Sequence, residues 1–458
     1  MFRDTTKKIV EEMDPGGKTL IPVESPFFSD HFKPLYFLSK PKKPFFPGRD
    51  KYKSKLITLT DILKDGQDLD FGLTSSSLAS YLGKQSSSVS GEADVKVCNT
   101  EPGIGVSGNT SDSISVMEMR KRKIDISKLL DVIGSRKVNR EHSFVKQNVS
   151  DDVYIVSEVI ETEKTCTVNG TAHIASGLSA FFHILKVKTG FCKYSEQKIT
   201  FPAGTTIAYR VSKLRITSDD TIEFGWHCEL RSCAVSVTDE KFTIASSVDG
   251  LTKLSAEQRL SLLNMVLDIL GSSENLPVLD AMLDQMREGL QPDLQMLDAM
   301  EGRSRASVEK VLNLLGIKKA DPPGQPLTLT QDQNSIIQAV SFLIQSLSEI
   351  DPETLILLAY CVEAKIISKQ RDLVRIIDDK RNLKPRFGCL PVEAVEDPEK
   401  TLIAQLTDEE FEITQQILDG YGFQMDRESS SVSAIDGRRQ KSILPLFAAL
   451  FALCILSA

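Results

Sequence analysis

The sequence predicts an α+β fold made of two halves, an amino-terminal antiparallel sheet with helices and an all-α carboxyl-terminal domain. At 458 residues, the chain is too long for one ordinary hydrophobic core. Apolar residues alternate with polar ones through most of the first half, as is typical of half-buried strands. After about residue 256 they recur every three or four positions, as they do in amphipathic helices. This change of period places the boundary between the halves within residues 236–256.

The composition is that of an ordinary globular protein whose charge is unevenly distributed. Hydrophobic residues make up 41% and charged residues 26%, which excludes a disordered chain and a multi-span membrane protein. The net charge of -8 is the sum of +2 over residues 1–249 and -10 over residues 250–458, and residues 1–60 are the most basic part. Opposite charge would favour attraction between the halves. The eight scattered cysteines, with no apolar run at the amino terminus, predict reduced thiols in the cytosol.

The first predicted element is a helix over residues 2–13, which ends at the sequence DPGGK. On a helical wheel its apolar side chains share one face, and Arg3, Lys7 and Lys8 lie on the other. A helix packed on a sheet is the simplest interpretation. A basic amphipathic helix also fits a lipid surface.

A proline-stiffened loop follows, SKPKKPFFPGRDKYKSK at residues 39–55, with two adjacent aromatic rings between clusters of cations. Phe45 and Phe46 lie between Pro44 and Pro47, so neither belongs to a regular helix. A soluble protein normally buries such rings, and cations around an exposed aromatic pair favour contact with an anionic membrane. The alternative is a solvated basic turn whose rings fold back onto the sheet.

Two long hairpin-like segments are predicted in the first half. From residue 166 to 184 the even positions are mostly apolar and the odd ones mostly polar, and the alternation returns in residues 198–211. Residues 81–97 and 104–116 show the same pattern. Membrane barrels use alternating segments of about ten residues, but a half-buried antiparallel sheet alternates in the same way. The serine-rich stretch LTSSSLASYLGKQSSSVS is poor in strand formers and favours a segment that is mobile in the soluble form.

The second half is predicted to be a compact set of amphipathic helices. Five segments show the helical period, namely SAEQRLSLLNMVLDIL, VLDAMLDQMREGL, QDQNSIIQAVSFLIQSLSEI, DPETLILLAYCVEAKIISKQ and TDEEFEITQQILDG. Ser255, Asp351 and Thr407 are predicted to cap helix starts. The terminal SILPLFAALFALCILSA is expected to be a buried core helix, because it is shorter than the roughly 20 residues of a membrane span and contains Pro445. A tail anchor is the alternative.

Two stretches of the first half resemble the gasdermin family of pore-forming proteins. IPVESPFFSDHFKPLYFLSKPKKPFFPGRDKYKSKLITLTDILKDG resembles the start of a gasdermin, and EQKITFPAGTTIAYRVSKLRI resembles a strand near the end of the pore-forming domain. The order of elements is similar over nearly the full length, and within the family the A subtype is nearest. The resemblance implies a twisted antiparallel pore-forming domain at 1–235, a protease-sensitive linker at 236–256 and a helical autoinhibitory domain at 257–458.

The resemblance also implies an autoinhibited pore former that is cytoplasmic until a protease cuts the linker. The released domain would bind acidic phospholipids of the inner leaflet, form a homo-oligomer and insert into the plasma membrane as a β-barrel, which causes lytic cell death. Phosphoinositides, phosphatidylserine and cardiolipin are the expected lipids, and no nucleic-acid partner is expected. The implied lipid-binding residues are Arg3, Lys7, Lys8, Lys40, Lys42, Lys43, Phe45, Phe46, Arg49, Lys51, Lys53 and Lys55.

The activating cut is predicted after Asp249, in FTIASSVDGLTK. Of the four Asp-Gly pairs, this one alone lies where the period of apolar residues changes. A caspase is one candidate for the protease, because caspases cut after aspartate when a small residue follows. Asp239, a cut by another linker protease, and a loop cut at Asp436 are the alternatives. Cys192, at the tip of the second hairpin, is a candidate palmitoylation site, with a plain exposed thiol as the alternative.

No enzyme is predicted. The chain lacks a His-Glu-x-x-His zinc pair, a Gly-x-Ser-x-Gly elbow and a Gly-x-x-x-x-Gly-Lys phosphate loop, and its five histidines all lie in the strand-rich half. No catalytic residue, metal site or cofactor is therefore assigned. Two non-enzymatic alternatives stay open: a scaffold that binds acidic lipid without inserting, and an adaptor whose helical domain binds partners.

Overall fold

The structure is a computed structural model of the chain. It describes residues 2–15, 19–40, 52–64, 70–83, 96–98, 115–148, 152–170, 197–225, 244–270, 275–300, 302–317, 323–381, 398–435, 437 and 440–458. These residues fall into two compact units, one formed by the described residues up to 225 and the other by those from 244 onward. The α+β fold class predicted from the sequence is confirmed, with an antiparallel sheet in the first unit and a largely helical second unit.

The first unit is built on an antiparallel sheet that contains nine strands among the described residues. The strands of this unit are β1 (Ile21–Pro22), β2 (Tyr36–Ser39), β3 (Lys53–Thr58), β4 (Thr74–Gly83), β5 (Lys96–Cys98), β6 (Ser115–Lys123), β7 (Asp152–Thr162), β8 (Cys166–Gly170), β9 (Gln197–Phe201), β10 (Thr206–Ile216) and β11 (Ile222–Gly225). The main order is β1-β10-β7-β6-β4-β5, with β11 beside β10 and β2 between β3 and β7. Strands β8 and β9 form a separate two-stranded ladder.

Four α-helices accompany these strands in the described part of the first unit. They are α1 (Phe2–Met13), α2 (Leu59–Ile62), α3 (Ile126–Ser135) and α4 (Ser143–Asn148). The chain leaves α1 through Asp14, whose carboxylate accepts hydrogen bonds from the backbone N–H groups of Thr19 and Leu20 at 2.7 and 3.0 Å. One hydrophobic cluster joins α1 to β1, β6, β7 and β10. A second cluster, which includes Phe37 and Phe144, joins α2, α3 and α4 to the sheet.

The second unit is largely helical. Its helices are α5 (Ile244–Thr252), α6 (Ala256–Leu270), α7 (Leu276–Arg287), α8 (Gly302–Leu314), α9 (Gln331–Ser348), α10 (Pro352–Glu363), α11 (Ile367–Arg381), α12 (Pro398–Ala404), α13 (Asp408–Asp419) and α14 (Leu444–Ser457). The second unit also contains a short antiparallel hairpin, formed by β12 (Phe423–Asp426) and β13 (Ser431–Ala434). The prediction of an all-α second half is therefore wrong at this hairpin.

Helix α14 is the apolar terminal segment, and it lies in the core of the second unit. It packs against α5, α6, α9 and α11, and eight of its residues are buried. The expectation of a buried core helix is therefore confirmed. No helix in the described part of the chain has both the length and the apolar character needed to cross a membrane.

The predicted caps begin the helices of the second unit where the sequence places them. The side chain of Asp351 accepts a hydrogen bond from the N–H of Thr354, and Thr407 forms a capping box with Glu410. The segment DPETLILLAYCVEAKIISKQ, however, is two helices rather than one. Lys365 takes a left-handed conformation (φ 58°) between α10 and α11, and this turn ends the first helix.

Candidate membrane-binding surface

Helix α1 is docked on the first unit through its apolar face. Phe2, Thr6 and Ile9 are buried. The ring of Phe2 stacks on that of Phe201 in β9, with centroids 5.0 Å apart and planes inclined by 21°. Thr6 Oγ1 donates a hydrogen bond to the carbonyl oxygen of Val23 at 2.7 Å. The helix is thus attached both to β9 and to the residue that follows β1.

Arg3 lies on the buried side of α1, so the prediction that it lies on the face opposite the apolar side chains is wrong. It is 3% exposed, and its Nε lies 3.9 Å from Glu24 Oε1. Its Nε and Nη2 atoms have no hydrogen-bond partner among the described residues. A buried guanidinium with unsatisfied donors destabilises the docked helix. The other predicted cations differ, since Lys7 is half-buried and Lys8 is exposed.

The predicted basic loop begins and ends at adjacent positions of the sheet. Ser39 at the end of β2 pairs with Lys53 at the start of β3, so Lys40 and Lys53 lie at the same end of this hairpin. Lys40 and Lys53 are half-buried, and Lys55 is exposed. The remaining loop residues of the predicted site lie outside the described residues; they are Lys42, Lys43, Phe45, Phe46, Arg49 and Lys51.

Strand β3 contains a residue that the sequence analysis missed. Leu56 is 57% exposed and has a positive φ of 52°. The alternation of strand residues carries no sign of such a conformation, which only the pairing of β3 with β2 reveals.

The base of the second predicted hairpin has the register that the alternation requires. Strand β8 pairs antiparallel with β9, so that Cys166 faces Phe201 and Val168 faces Ile199. Cys166 and Phe201 are buried, and Val168 and Ile199 pack against the same hydrophobic cluster. On the opposite, exposed face, the hydroxyls of Thr167 and Thr200 lie 3.2 Å apart. The apolar and polar faces are thus separated across this two-stranded ladder, while residues 171–196, including Cys192, lie outside the described residues.

The first predicted hairpin is anchored on β4, a strand that the sequence analysis assigned to a mobile segment. Residues Thr74–Gly83 form a ten-residue strand that pairs with β6 on one side and, through Ser80–Leu82, with β5 on the other. Poor strand propensity is overridden here by pairing with a neighbour on each side. The rest of the serine-rich stretch, residues 84–90, lies outside the described residues.

Two glutamates on β7 form ion pairs with arginines of the neighbouring strands β6 and β10. Strand β6 follows the first predicted hairpin, and β7 and β10 flank the second. Glu161, whose side chain is 1% exposed, accepts a hydrogen bond from Arg120 Nε of β6 at 2.7 Å, with Arg122 Nη1 at 3.7 Å. On the other side of β7, Glu158 lies 3.4 Å from Arg210 Nη1 of β10. Removing one member of such a pair leaves a buried charge uncompensated. These ion pairs therefore join β7 to β6 on one side and to β10 on the other.

The described part of the predicted linker is a helix rather than an extended segment. Asp249 has an exposed side chain within α5, whereas Gly250, Val248 and Leu251 are buried. A Cβ atom added to Gly250 would lie 2.2 Å from the carbonyl oxygen of Ser335 in α9, so the two helices touch at this glycine. Cleavage after Asp249 stays a prediction. It requires α5 to unwind, because proteases cut exposed, extended segments.

The buried cysteines in the described part of the chain are poor nucleophiles. Burial raises the pKa of the Cys361 thiol to about 12 and also raises the pKa of Cys166. Among the described residues, no group of three or more histidine, cysteine, aspartate or glutamate side chains is placed to hold a metal ion.

Comparison with known families gives two matches in succession along the chain. Residues 1–231 match the family model described as Gasdermin pore forming domain, and residues 237–432 match that described as Gasdermin PUB domain. The resemblance found in the sequence therefore holds for both units.

Similar curated proteins are gasdermins and pejvakins. Pejvakin of Mus musculus is 34% identical over 230 residues, which are 49% of this chain and 63% of that protein. Gasdermin-E of Equus caballus is 25% identical, with 100% of this chain and 99% of that protein aligned. Gasdermin-A3 of Mus musculus is 23% identical, with 100% and 97% aligned. The match thus spans just under two thirds of pejvakin, and the A subtype stays a prediction within the confirmed family.

Among solved structures, the chain is similar to one described as "Cryo-EM structure of the Gasdermin A3 membrane pore". The TM-score is 0.30 at 21% sequence identity, with 51% of this chain and 97% of that chain covered. A similarity this low supports no conclusion about the geometry of a pore.

Proposed function

This chain belongs to the gasdermin family, a family of non-enzymatic pore-forming proteins, and from that premise we propose that it is an autoinhibited pore former. Residues 1–235 would form the pore, residues 257–458 would inhibit it, and the segment 236–256 would contain the activating cut. After the cut, the first unit would move from the cytoplasm to the plasma membrane, assemble with copies of itself and cause lytic cell death.

The pairing of β8 with β9 carries this proposal. Its register gives one apolar and one polar face to the ladder that leads into the second of the two long alternating segments. A strand pair that is to enter a bilayer needs one face for lipid and one for water. In the compact state, the apolar face of this ladder is covered by the same cluster that holds α1.

Charge supports acidic phospholipids as the membrane partner. The exposed Lys8 and Lys55 lie among the predicted lipid-binding residues. Each cation near an anionic leaflet contributes about 1 kcal/mol of attraction. Phosphoinositides, phosphatidylserine and cardiolipin are the proposed classes, and a palmitoyl chain on Cys192 would add membrane affinity.

Release from inhibition is proposed to follow from cutting the chain between the units. While the units are linked, any contact between them is intramolecular and forms at a high effective concentration. After cleavage the same contact becomes a dissociable one, and the membrane competes for the first unit. A caspase cutting after Asp249 is the proposed trigger.

The proposal is tested by cutting the full-length chain in the presence of vesicles. A recognition sequence for a specific protease is inserted between residues 236 and 243, and the protein is cut while dye-filled vesicles of phosphatidylserine or of phosphatidylcholine are present. Dye release from the anionic vesicles alone, and only after the cut, is the expected result. Binding without release would support the alternative, a scaffold that does not insert. A chain that binds neither vesicle would contradict both functions.

A further inference from the structure

The edge strand β3 contains a bulge that presents one leucine to solvent. Ser54 pairs with Leu38 and Thr58 pairs with Tyr36, so residues 55–57 of β3 lie opposite the single residue Phe37 of β2. Bulges of this kind re-aim side chains and interrupt the backbone ladder. Here the residue at the centre of the bulge is Leu56.

Leu56 is unfavourable in two independent ways. It has a φ of 52°, a left-handed conformation that brings Cβ of an L residue close to the following carbonyl oxygen. Its N–H donates a hydrogen bond to Ser54 Oγ at 3.2 Å, which helps to hold this conformation. The side chain is also 57% exposed, the highest value for a large hydrophobic residue in the described part of the chain. Single exposed leucines are common, but glycine or asparagine would remove both costs at this position.

The surroundings of Leu56 indicate what would cover it. Among the described strands β3 pairs with β2 alone, so its other edge has no strand partner among them. The bulge disrupts that edge and therefore disfavours strand pairing with a second copy of the chain. The neighbouring Lys55 is exposed. A cation beside an exposed aliphatic side chain fits the surface of an anionic bilayer, where the amine meets headgroup phosphate and the aliphatic group enters the acyl boundary.

We infer that Leu56 is a membrane anchor, which inserts at the headgroup–acyl boundary of an anionic leaflet while Lys55 binds the headgroups. The inference rests on the proposed function and adds an apolar contact at the bulge of β3 to the predicted basic loop. It explains why a strained conformation is kept at an exposed position, since the strain aims the side chain away from the sheet.

The test separates membrane affinity from stability. Leu56→Gly and Leu56→Asn remove the apolar side chain, and both residues accept a positive φ. The matched controls are Leu73→Gly and Leu73→Asn, because Leu73 is 43% exposed in the same unit. Each full-length variant carries the inserted protease sequence and is cut in the presence of phosphatidylserine vesicles, and bound protein is measured by sedimentation. The melting temperature of each uncut protein is measured alongside.

For the Leu56 variants we expect vesicle affinity to fall roughly tenfold. This is the loss expected when about half of a leucine side chain is no longer transferred from water into an apolar environment. The melting temperature should be unchanged or higher, because the strain is relieved. The Leu73 variants should bind like the parent. Parental affinity in the Leu56 variants, an equal loss in the Leu73 variants, or a loss that follows a fall in melting temperature would each overturn the inference. A parent that fails to bind would instead refute the proposed function on which it rests.

Discussion

Replacing Gly250 by alanine tests how the helix that carries the predicted cleavage site is held. The added Cβ would lie 2.2 Å from the carbonyl oxygen of Ser335, 2.5 Å from its carbonyl carbon and 2.9 Å from the nitrogen of Ile336. These are backbone atoms of α9 and cannot rotate away. Ordinary contact begins near 3.4 Å, so α5 and α9 must separate by roughly 1 Å, which weakens the dispersion contacts along their interface.

The expected cost of Gly250→Ala follows from two opposing effects. Overpacking against immobile atoms costs about 3 kcal/mol at the upper end of its range. Alanine returns about 1 kcal/mol through its higher helix propensity. The net loss of about 2 kcal/mol should raise the fraction of molecules with α5 open about 30-fold.

Amide hydrogen exchange of peptides from residues 244–252 measures this opening directly. Exchange should be about 30 times faster in Gly250→Ala, and cleavage by a caspase after Asp249 should accelerate by a similar factor, because both require the same opening. Gly134→Ala is the control, since Gly134 lies in α3 and a Cβ added there meets nothing within 4 Å. That variant should slow exchange in residues 126–135. If α5 in Gly250→Ala stayed as protected as in the parent, the close contact with Ser335 would not be what holds the helix.

Four further tests, one of them with a control variant, address separate parts of the structure. The triple variant Lys42→Glu, Lys43→Glu, Lys51→Glu reverses three charges of the predicted basic loop and should reduce dye release after the cut. Unchanged release would show that this loop does not contact the membrane. Glu161→Gln should lower the free energy of unfolding in urea by about 2 kcal/mol. The loss is smaller than for a fully buried pair, because the two arginines beside Glu161 are about one third exposed. The control is Lys164→Gln, which breaks an exposed pair with Glu118 and should change stability by less than about 0.5 kcal/mol. Arg3→Met should leave the melting temperature unchanged or higher, because it removes unsatisfied buried donors, and a clear fall would show that the pair with Glu24 stabilises α1. Cys361 should resist alkylation at pH 8, because burial raises the pKa of its thiol to about 12. In the unfolded chain the thiol has its ordinary pKa and loses its proton at lower pH, so the free energy of unfolding should fall as the pH rises above that ordinary value.

The sequence predicts well the features that depend on local periodicity. Alternation alone places Cys166 and Phe201 on one face and Thr167 and Thr200 on the other, because strand geometry leaves two choices of face. The caps at Asp351 and elsewhere are equally local, since the side chain and the amide it binds lie within a few residues.

The features that the sequence misses depend on partners far along the chain. A helical wheel gives the angle of Arg3 but not the position of Glu24, the group that lies beside it in the folded unit. Strand formation by β4 comes from β6, which lies some forty residues away. The left-handed conformations of Leu56 and Lys365 are equally hidden, because both occur at residues other than the glycine that normally marks them.

The central claim, that cleavage turns a closed protein into a membrane pore, is tested most directly by the release of two contents from the same vesicles. Phosphatidylserine vesicles are loaded with a small dye and a large labelled dextran, and the full-length protein is cut in their presence. We predict that both contents leave each permeabilised vesicle completely, that uncut protein releases neither, and that phosphatidylcholine vesicles keep both. Protein that sediments with the anionic vesicles while they retain the dye would contradict the claim.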